Sequence, residues 1–356
     1  MDITILLPAL VLAIIGVAMI YSATYSKAAL SQIYLKQILW LSLGTISLLF
    51  FASFNYQALL NRFAVPAYWI IIILLVVLLA AGEQISGSRR WINISGISFQ
   101  PSEFAKVVTT LVLAKYLSER EDKIKEWQTL LGAFFITGLP MVLILREPDL
   151  GTTLVFVPLV FVMLYIVGVP FSRLFWITFA GLSTSPLIWF MLKDYQRQRL
   201  LVFINPNMDT LGAGYNVIQS KIAIGSGGWI GKGWLGGTQS QLKFVPEHHT
   251  DFIFSVIAEE WGFMGAFILI ILFGVFLLQA LRIARLARDT AGSLIAVGLT
   301  TIIFVQVVIN LGGATGLLPV TGMTLPFISY GGSSIILCMS IIGILMSIWS
   351  GRKIMK

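Results

Sequence analysis

Apolar runs of about 20 residues recur along the whole chain, and they constrain its fold more than any other feature. A run of that length spans the bilayer hydrocarbon, about 30 Å thick, as an α-helix. Backbone groups in lipid have no water to bind, so their hydrogen bonds must be made within the protein. The pattern therefore predicts an all-α, polytopic membrane bundle.

We expect ten spans in one domain covering residues 1–356. The eighth run is too long for one straight crossing at about 1.5 Å per residue. Gly262 and Gly265 predict a break near Glu259 and Glu260, with residues 251–261 lining a cavity. The expected spans are residues 5–21, 38–54, 64–81, 104–117, 128–145, 152–169, 174–192, 252–281, 294–311 and 335–349.

Composition excludes several classes of protein. Charged residues make up 11% of the chain, against about 25% in soluble domains. The low share of charge therefore excludes a soluble globular domain. The net charge of +8 comes mostly from residues in loops beside spans, where they set topology or meet anionic lipid, so no nucleic-acid partner is expected. Cys338 is the one cysteine, which excludes an intrachain disulfide. The first run lacks the basic flank of a signal peptide, so we expect it to be retained.

The distribution of basic residues predicts that both chain ends lie inside. With that orientation the inner and outer sides each hold twelve cations, but six of the outer ones fall in the large loop between spans seven and eight, residues 193–251. Long loops count little in the positive-inside rule, so short loops favour ends inside by twelve to six. Loops 82–103, 146–151, 193–251 and 312–334 then share the outer side.

Asp251 is the strongest candidate for chemistry, because it lies where a polar segment meets an apolar helix. A carboxylate near hydrocarbon is costly and usually faces a cavity, a partner charge or a substrate. We interpret Asp251 as a catalytic base at the outer mouth, with Glu247 beside it as a substrate contact. Asp251, Ser255 and Glu259 repeat at a spacing of four and predict one polar stripe.

Glu103 and Lys106 form a second candidate, just after the helix start that Pro101 predicts. Their spacing of three places them on one helix face, close enough to pair. One interpretation is structural, two charges buried together. The other is functional: Lys106 presents a cation to a pyrophosphate, and Glu103 holds it in place.

The large loop contains two further candidate features. Arg197 and Arg199 suit phosphate oxygens, because the planar guanidinium forms paired hydrogen bonds, or they anchor lipid headgroups. The glycine-rich stretch 212–240, with Gln219 and Ser220, suits a sugar-bearing ligand at the membrane surface, or is a surface loop with interfacial tryptophans. It has no phosphate-binding glycine motif.

A protein-bound metal site is not expected. His248 and His249 are adjacent, so on a helix they point in different directions. No third ligand stands at a suitable spacing.

Several motifs together resemble the SEDS family (shape, elongation, division and sporulation). The resemblance covers nearly the whole chain, and it looks more like the elongation member than the division member. One departure places Thr324 where the family is usually apolar. The motifs are PEHHTDFIFSVIAEEWG, REPDLGT, GSRRWINISGISFQPSEFAK, YNVIQSKIAIGSGGWIGKGWLGGTQ and LLPVTGMTLPFISYGGSS.

The resemblance implies a peptidoglycan glycosyltransferase that polymerises lipid II on the outer face of the bacterial cytoplasmic membrane. It implies a class B penicillin-binding protein as partner, besides membrane lipids. The family's essential aspartate matches Asp251, and its other motif residues match Trp91, Glu103 and Lys106. A divalent cation, Mg²⁺ or Mn²⁺, is a further expectation at the leaving pyrophosphate. The alternatives are a lipid II flippase and a scaffold for the partner synthase.

Overall fold

Every apolar run predicted from the sequence contains a helix in the computed structural model. It describes residues 2–25, 32–81, 90–94, 97–183, 190, 194–209, 212–241 and 249–352. The main helices are α1 Ile3–Thr24, α2 Ile33–Ser53, α3 Tyr56–Ala58, α4 Ala64–Ala81, α5 Pro101–Ser118, α6 Trp127–Arg146, α7 Leu150–Ile166, α8 Phe171–Ser183, α9 Asp194–Ile204, α10 Ala213–Ser226, α11 Thr238–Gln241, α12 Ile253–Leu286, α13 Thr290–Thr315 and α14 Gly332–Ser350. A π-helical turn, Leu59–Phe63, joins α3 to α4.

Seven helices in the described part of the chain are long and apolar enough to cross a membrane. They are α1, α2, the continuous helix Tyr56–Ala80, α6, α12, α13 and α14. Of the other expected spans, α5 carries three charged residues, α7 is 17 residues long, and α8 is described over 13 residues. The all-α membrane fold is confirmed, while the count of ten crossings stays a prediction.

Helices α13 and α14 form the centre of the bundle. In their most apolar windows 78% and 83% of residues are buried, against 17% in α2. The peripheral helices expose large apolar side chains such as Ile46, Phe50 and Phe135, as expected where lipid replaces water. Polar side chains join helices inside: the hydroxyls of Ser47 and Ser340 lie 2.7 Å apart between α2 and α14.

A small antiparallel hairpin precedes α5 and was not predicted from the sequence. Strands β1 (Ile92–Ile94) and β2 (Ile97–Phe99) pair with Ile92 opposite Phe99. The ring of Phe99 stacks on that of Phe104 with centroids 4.9 Å apart. Pro101 then begins α5, as its fixed φ and missing N–H favour, which confirms the predicted helix start.

The predicted break in the eighth run is confirmed at Gly262, whose φ of 65° and ψ of −161° interrupt α12. The chain segment 227–237, which we call the docking segment, packs against this break. Four backbone hydrogen bonds of 2.8–3.1 Å join its residues 228–233 to residues 259–264 of α12. The groups that the break would leave without partners inside the bundle are therefore satisfied by the protein.

Substitution of Gly262 by alanine should destabilise the protein. Its backbone lies in the left-handed region, and an added Cβ would lie 2.3 Å from the Gly231 nitrogen. We expect a loss of at least about 2 kcal/mol, seen as a lower melting temperature in detergent.

The matched control is Gly274→Ala in the same helix, where an added Cβ meets nothing within 4 Å. It should be neutral or stabilising, because alanine favours helix over glycine by about 1 kcal/mol. Equal melting temperatures for the two variants would contradict the account of the break.

Candidate functional site

Asp251 is fixed at the start of α12 through its main chain. Asn310 Nδ2 donates to the Asp251 carbonyl oxygen at 2.9 Å and to the Met323 carbonyl oxygen at 2.7 Å. Ser329 Oγ donates to the Thr250 carbonyl oxygen at 2.6 Å. Residues 316–331, between α13 and α14, form what we call the recess loop. Asn310 and Ser329 therefore hold Asp251 against this loop.

A recess of about 200 Å³, part of it open to solvent, lies beside Asp251. Asn310, Thr321 and Gly322 are among the residues that line it. Gly322 has a φ of 76°, and an added Cβ there would lie 3.4 Å from Asp251 Oδ2. Glycine therefore allows the left-handed turn of the recess loop and keeps the carboxylate side of the recess open.

The predicted role of residues 251–261 as a cavity wall is largely wrong. Of this stretch only Asp251 and Phe252 line the recess, and residues 253–260 are buried. Ser255, expected in one polar stripe with Asp251 and Glu259, forms a 2.6 Å hydrogen bond with Ser220 instead. Ser255 and Glu259 both face the large loop, through Ser220 and Gln239, and neither lines the recess beside Asp251.

Ser220 lies in packed protein. Within the glycine-rich stretch, residues Ala213–Ser226 form α10, which packs on α12 and α13. Ser220 is fully buried, and its hydroxyl donates to the Ala314 carbonyl oxygen at 2.6 Å. Its predicted contact with a sugar has no support in this geometry.

Glu259 pairs with a lysine that the sequence did not single out. Lys232 Nζ lies 2.8 Å from Glu259 Oε1, and the Glu259 side chain is fully buried. The backbone nitrogen of Gln239 donates to the same oxygen at 2.8 Å. This pair fastens the docking segment to α12 beside the Gly262 break.

The predicted pairing of Glu103 and Lys106 is confirmed. Lys106 Nζ lies 2.7 Å from Glu103 Oε1. Lys106 is 0% exposed and Glu103 6%, so the cation is sealed inside the bundle. Contact between Lys106 and a pyrophosphate therefore requires the groups that cover Lys106 to move. The role of Lys106 as a pyrophosphate contact stays a prediction.

The remaining predicted substrate contacts are dispersed. Arg197 and Arg199 lie two residues apart in α9, so their side chains leave the helix in different directions. Gln219 is partly exposed on α10. Trp91 is partly exposed and directly precedes β1. Glu247 lies outside the described residues. Their roles as substrate contacts stay predictions.

Asp149 is a structural hub that the sequence analysis did not select. Its carboxylate caps α7 by accepting from Thr152 N at 3.1 Å and Thr152 Oγ1 at 3.0 Å. Gln100 Nε2 donates to it at 3.3 Å, and Arg90 Nη1 lies 3.8 Å from Asp149 Oδ1. An aspartate directly before an apolar run is a helix-start signal, so the cap was detectable, whereas the contacts across the fold were not.

Glu147 lies two residues before Asp149 and is 0% exposed. Within the described part of the chain neither of its carboxylate oxygens has a hydrogen-bond partner. The pKa of Glu147 is raised to about 8, mainly by burial and also by the Asp149 charge, while the Arg90 charge opposes the shift. At neutral pH this carboxyl carries a proton in the folded protein.

Glu147→Gln should stabilise the protein in a pH-dependent way. Folded Glu147 keeps its proton up to about pH 8, whereas the unfolded group releases it near the model value of 4.5. Wild-type stability therefore falls as pH rises between these values, by about 1.4 kcal/mol per pH unit. Glutamine, which does not ionise, removes this loss.

The measurement is thermal unfolding in detergent from pH 4.5 to pH 8. The melting temperature of Glu147→Gln should exceed that of wild type at pH 7.5, and the gap should close near pH 4.5. Exposed Glu121 provides the control, since Glu121→Gln should track wild type throughout. A less stable Glu147→Gln at pH 7.5 would contradict the buried, protonated carboxyl.

Known proteins match this chain over nearly its full length. Residues 2–354 match the family model FTSW_RODA_SPOVE, described as cell cycle protein. Peptidoglycan glycosyltransferase MrdB of Escherichia coli (strain K12) is 39% identical over 357 residues, which cover 100% of this chain and 95% of that protein.

Solved structures share the fold. A chain from a peptidoglycan synthase complex, solved to show how polymerization and crosslinking are coordinated, matches with a TM-score of 0.83 at 35% identity, covering 97% of this chain and 96% of that one. The rod shape determining protein RodA of Thermus thermophilus matches with a TM-score of 0.74 at 30% identity, covering 99% and 97%. The chain is therefore a multi-pass membrane protein that belongs to the FtsW, RodA and SpoVE family, the SEDS family.

Proposed function

We propose that this protein is a peptidoglycan glycosyltransferase that polymerises lipid II into glycan strands during cell elongation, with Asp251 as the general base. The observation that carries the proposal is the position of Asp251, held at the open recess where an apolar helix begins. Two relatives that cover 100% and 98% of this chain are named peptidoglycan glycosyltransferases.

We place the chain in the bacterial cytoplasmic membrane with Asp251 facing outside and both ends in the cytoplasm. Thr4 at the start of α1 hydrogen-bonds Gln279 in the second half of α12, and Arg282 lies over the Trp349 ring at the end of α14. The start of α1 and the end of α14 therefore lie at the end of the bundle opposite Asp251. The excess of basic residues in short loops on that side supports this orientation.

In the proposed reaction, the 4-hydroxyl of the acceptor sugar attacks the anomeric carbon of the donor MurNAc. Asp251 takes the hydroxyl proton as the new bond forms, and undecaprenyl pyrophosphate leaves with the electron pair of the broken bond. A single displacement inverts an α-linked donor and gives a β-1,4 link. General-base catalysis of this kind contributes about 10²- to 10⁴-fold to the rate.

The leaving pyrophosphate needs positive charge close to it. Lys106, Arg197 and Arg199 are the proposed sources. Lys106 supplies its charge once the substrate displaces the groups that cover it, and the arginines supply theirs from α9 beside the membrane.

We propose that a divalent cation, Mg²⁺ or Mn²⁺, accompanies the pyrophosphate. Among the residues that the structure describes, no three His, Cys, Asp or Glu side chains converge. Such an ion neutralises phosphate charge, and Mg²⁺ commonly binds through one or two carboxylates together with substrate phosphates.

The proposed partner is a class B penicillin-binding protein that crosslinks the nascent strands. Support comes from the similar chain in a peptidoglycan synthase complex that coordinates polymerization and crosslinking.

A double substitution separates the two interpretations of the Glu103–Lys106 pair. Lys106→Met alone leaves a buried carboxylate without its cation and should destabilise the protein by about 3–5 kcal/mol. Adding Glu103→Gln should restore the melting temperature, because neither buried charge remains.

Glycan polymerisation should be lost in Lys106→Met and should not return in the stable double variant, because both lack the Lys106 cation that stabilises the leaving pyrophosphate. Recovery of polymerisation together with stability would show that the pair is only structural. The single Glu103→Gln variant controls for loss of the carboxylate and should keep part of the activity.

Asp251→Asn should lower polymerisation by about 10²- to 10⁴-fold while the melting temperature stays unchanged, since the base is lost and the side-chain volume is kept. The assay uses purified protein with its partner synthase in liposomes, and lipid II conversion is followed by gel. The control, Asp122→Asn, removes an exposed carboxylate at the opposite end and should leave the rate unchanged.

Normal polymerisation by Asp251→Asn would refute the assignment of the base. Transbilayer movement of labelled lipid II by wild type without any glycan would instead indicate a flippase.

The same polymerisation assay after EDTA treatment tests the divalent cation. The glycan yield should fall and should return with added Mg²⁺, and an unchanged yield would exclude the ion.

A further inference from the structure

The β1–β2 hairpin is fastened to one carboxylate from both of its ends. Arg90 lies just before β1 and Gln100 just after β2, and both reach Asp149. The Arg90 guanidinium also donates to the Pro148 carbonyl oxygen. Because Asp149 caps α7 at the same time, the base of the hairpin and the first turn of α7 are held as one unit.

The start of α7 also supports the wall of the recess. Gly151, two residues after Asp149, packs so closely on the recess loop that an added Cβ would lie 2.5 Å from Met323 Cγ and 3.0 Å from Thr321 Oγ1. Thr321 and Met323 both line the recess beside Asp251. A displacement of Asp149 would therefore move the hairpin relative to the recess wall.

The second side of the hairpin base is also anchored. The backbone nitrogen of Gln100 donates to Ser333 Oγ at 3.2 Å, at the start of α14. Ser334, the next residue, lies 3.0 Å from Thr324 Oγ1 of the recess loop. The base of the hairpin is therefore linked to the recess loop twice, once through the start of α7 and once through the start of α14.

The charges of this cluster favour a tight clamp. Asp149 is 3% exposed and the Arg90 side chain 15%, so their attraction is weakly screened. Glu147 is the other carboxyl near Arg90. Since Glu147 is buried without hydrogen-bond partners among the described residues, it does not compete with Asp149 for the guanidinium.

We propose that Asp149 is a positioning residue for the reaction: through Arg90 and Gln100 it holds the hairpin that begins after Trp91 in fixed register with the Asp251 recess. The hairpin then forms one side of the substrate path, and Asp149 itself touches no reacting atom. This inference rests on the proposed glycosyl transfer, so its test includes a measurement that needs no activity.

The test is Asp149→Asn in the full-length protein with its partner. Asparagine caps a helix as well as aspartate does, so α7 should stay folded while the charge that holds Arg90 is lost. We expect the KM for lipid II to rise about tenfold, because the buried ion pair between Arg90 and Asp149 is lost, and kcat to change less than about twofold.

Hydrogen exchange provides the second measurement. Amides of strands Ile92–Ile94 and Ile97–Phe99 should exchange at least about tenfold faster in Asp149→Asn, because the base of the hairpin opens more often. The matched control is Asp289→Asn, the same change at the aspartate that caps α13 at the opposite end of the bundle. It should alter neither KM nor exchange in the hairpin.

Arg90→Gln removes the clamp without touching the cap and should reproduce both effects, which keeps the test decisive if Asp149→Asn folds poorly. Wild-type KM and wild-type exchange in Arg90→Gln would overturn the inference, and so would a loss of kcat at constant KM. If wild type made no glycan, the proposed function would fail, whereas faster exchange in both variants would still support the clamp.

Discussion

The structure depends on how the backbone break at Gly262 is satisfied. A helix interrupted inside a membrane bundle leaves N–H and C=O groups that lipid cannot satisfy. Here the docking segment supplies the partners through hydrogen bonds of 2.8–3.1 Å, and the Lys232–Glu259 pair fixes it there. The break therefore requires the long loop to return to the bundle. That return brings α10 against α13 and against α12, the helix that begins just after Asp251.

The acidic residues of the bundle differ in their access to solvent, and this difference singles out Asp251, which is partly exposed at the recess. Glu103 and Glu259 each face a lysine within 2.8 Å. Glu147 has neither a hydrogen-bond partner among the described residues nor solvent, and its raised pKa keeps it neutral. Asp251 instead lines an open recess, and its position is set by the bond from Asn310 to its main chain. A base that must meet a substrate hydroxyl needs such access, which buried ion pairs lack.

Much of the fold followed from the sequence, because span length and glycine breaks are local signals. The helix positions, the break at Gly262 and the Glu103–Lys106 pair each follow from spacing along one helix. The contacts of Ser220, Ser255 and Lys232 did not follow, since they join residues distant in the chain. Helical spacing places Ser255 on a face but does not say that a serine of α10 occupies that face. The Asp149 cap could be predicted from REPDLG, whereas its contact with Arg90 depends on how the hairpin folds over α7.

Thr324 departs from the usual apolar residue of the family, and its hydrogen bond with Ser334 explains why a hydroxyl is tolerated there.

Different elements of the fold position different parts of the proposed site. Asn310 and Ser329 fix Asp251 against the recess loop, and Asp149 fixes the hairpin against the same loop from the other side. Neither carboxylate can replace the other, because one lies at the recess and the other is enclosed by Arg90, Gln100 and Thr152. In the proposed transfer between two large lipid-linked sugars, misplacement by about 1 Å would cost about 10²-fold in rate. Rigid support of the hairpin and of the base by one shared loop meets that demand, because any movement of the loop carries both together.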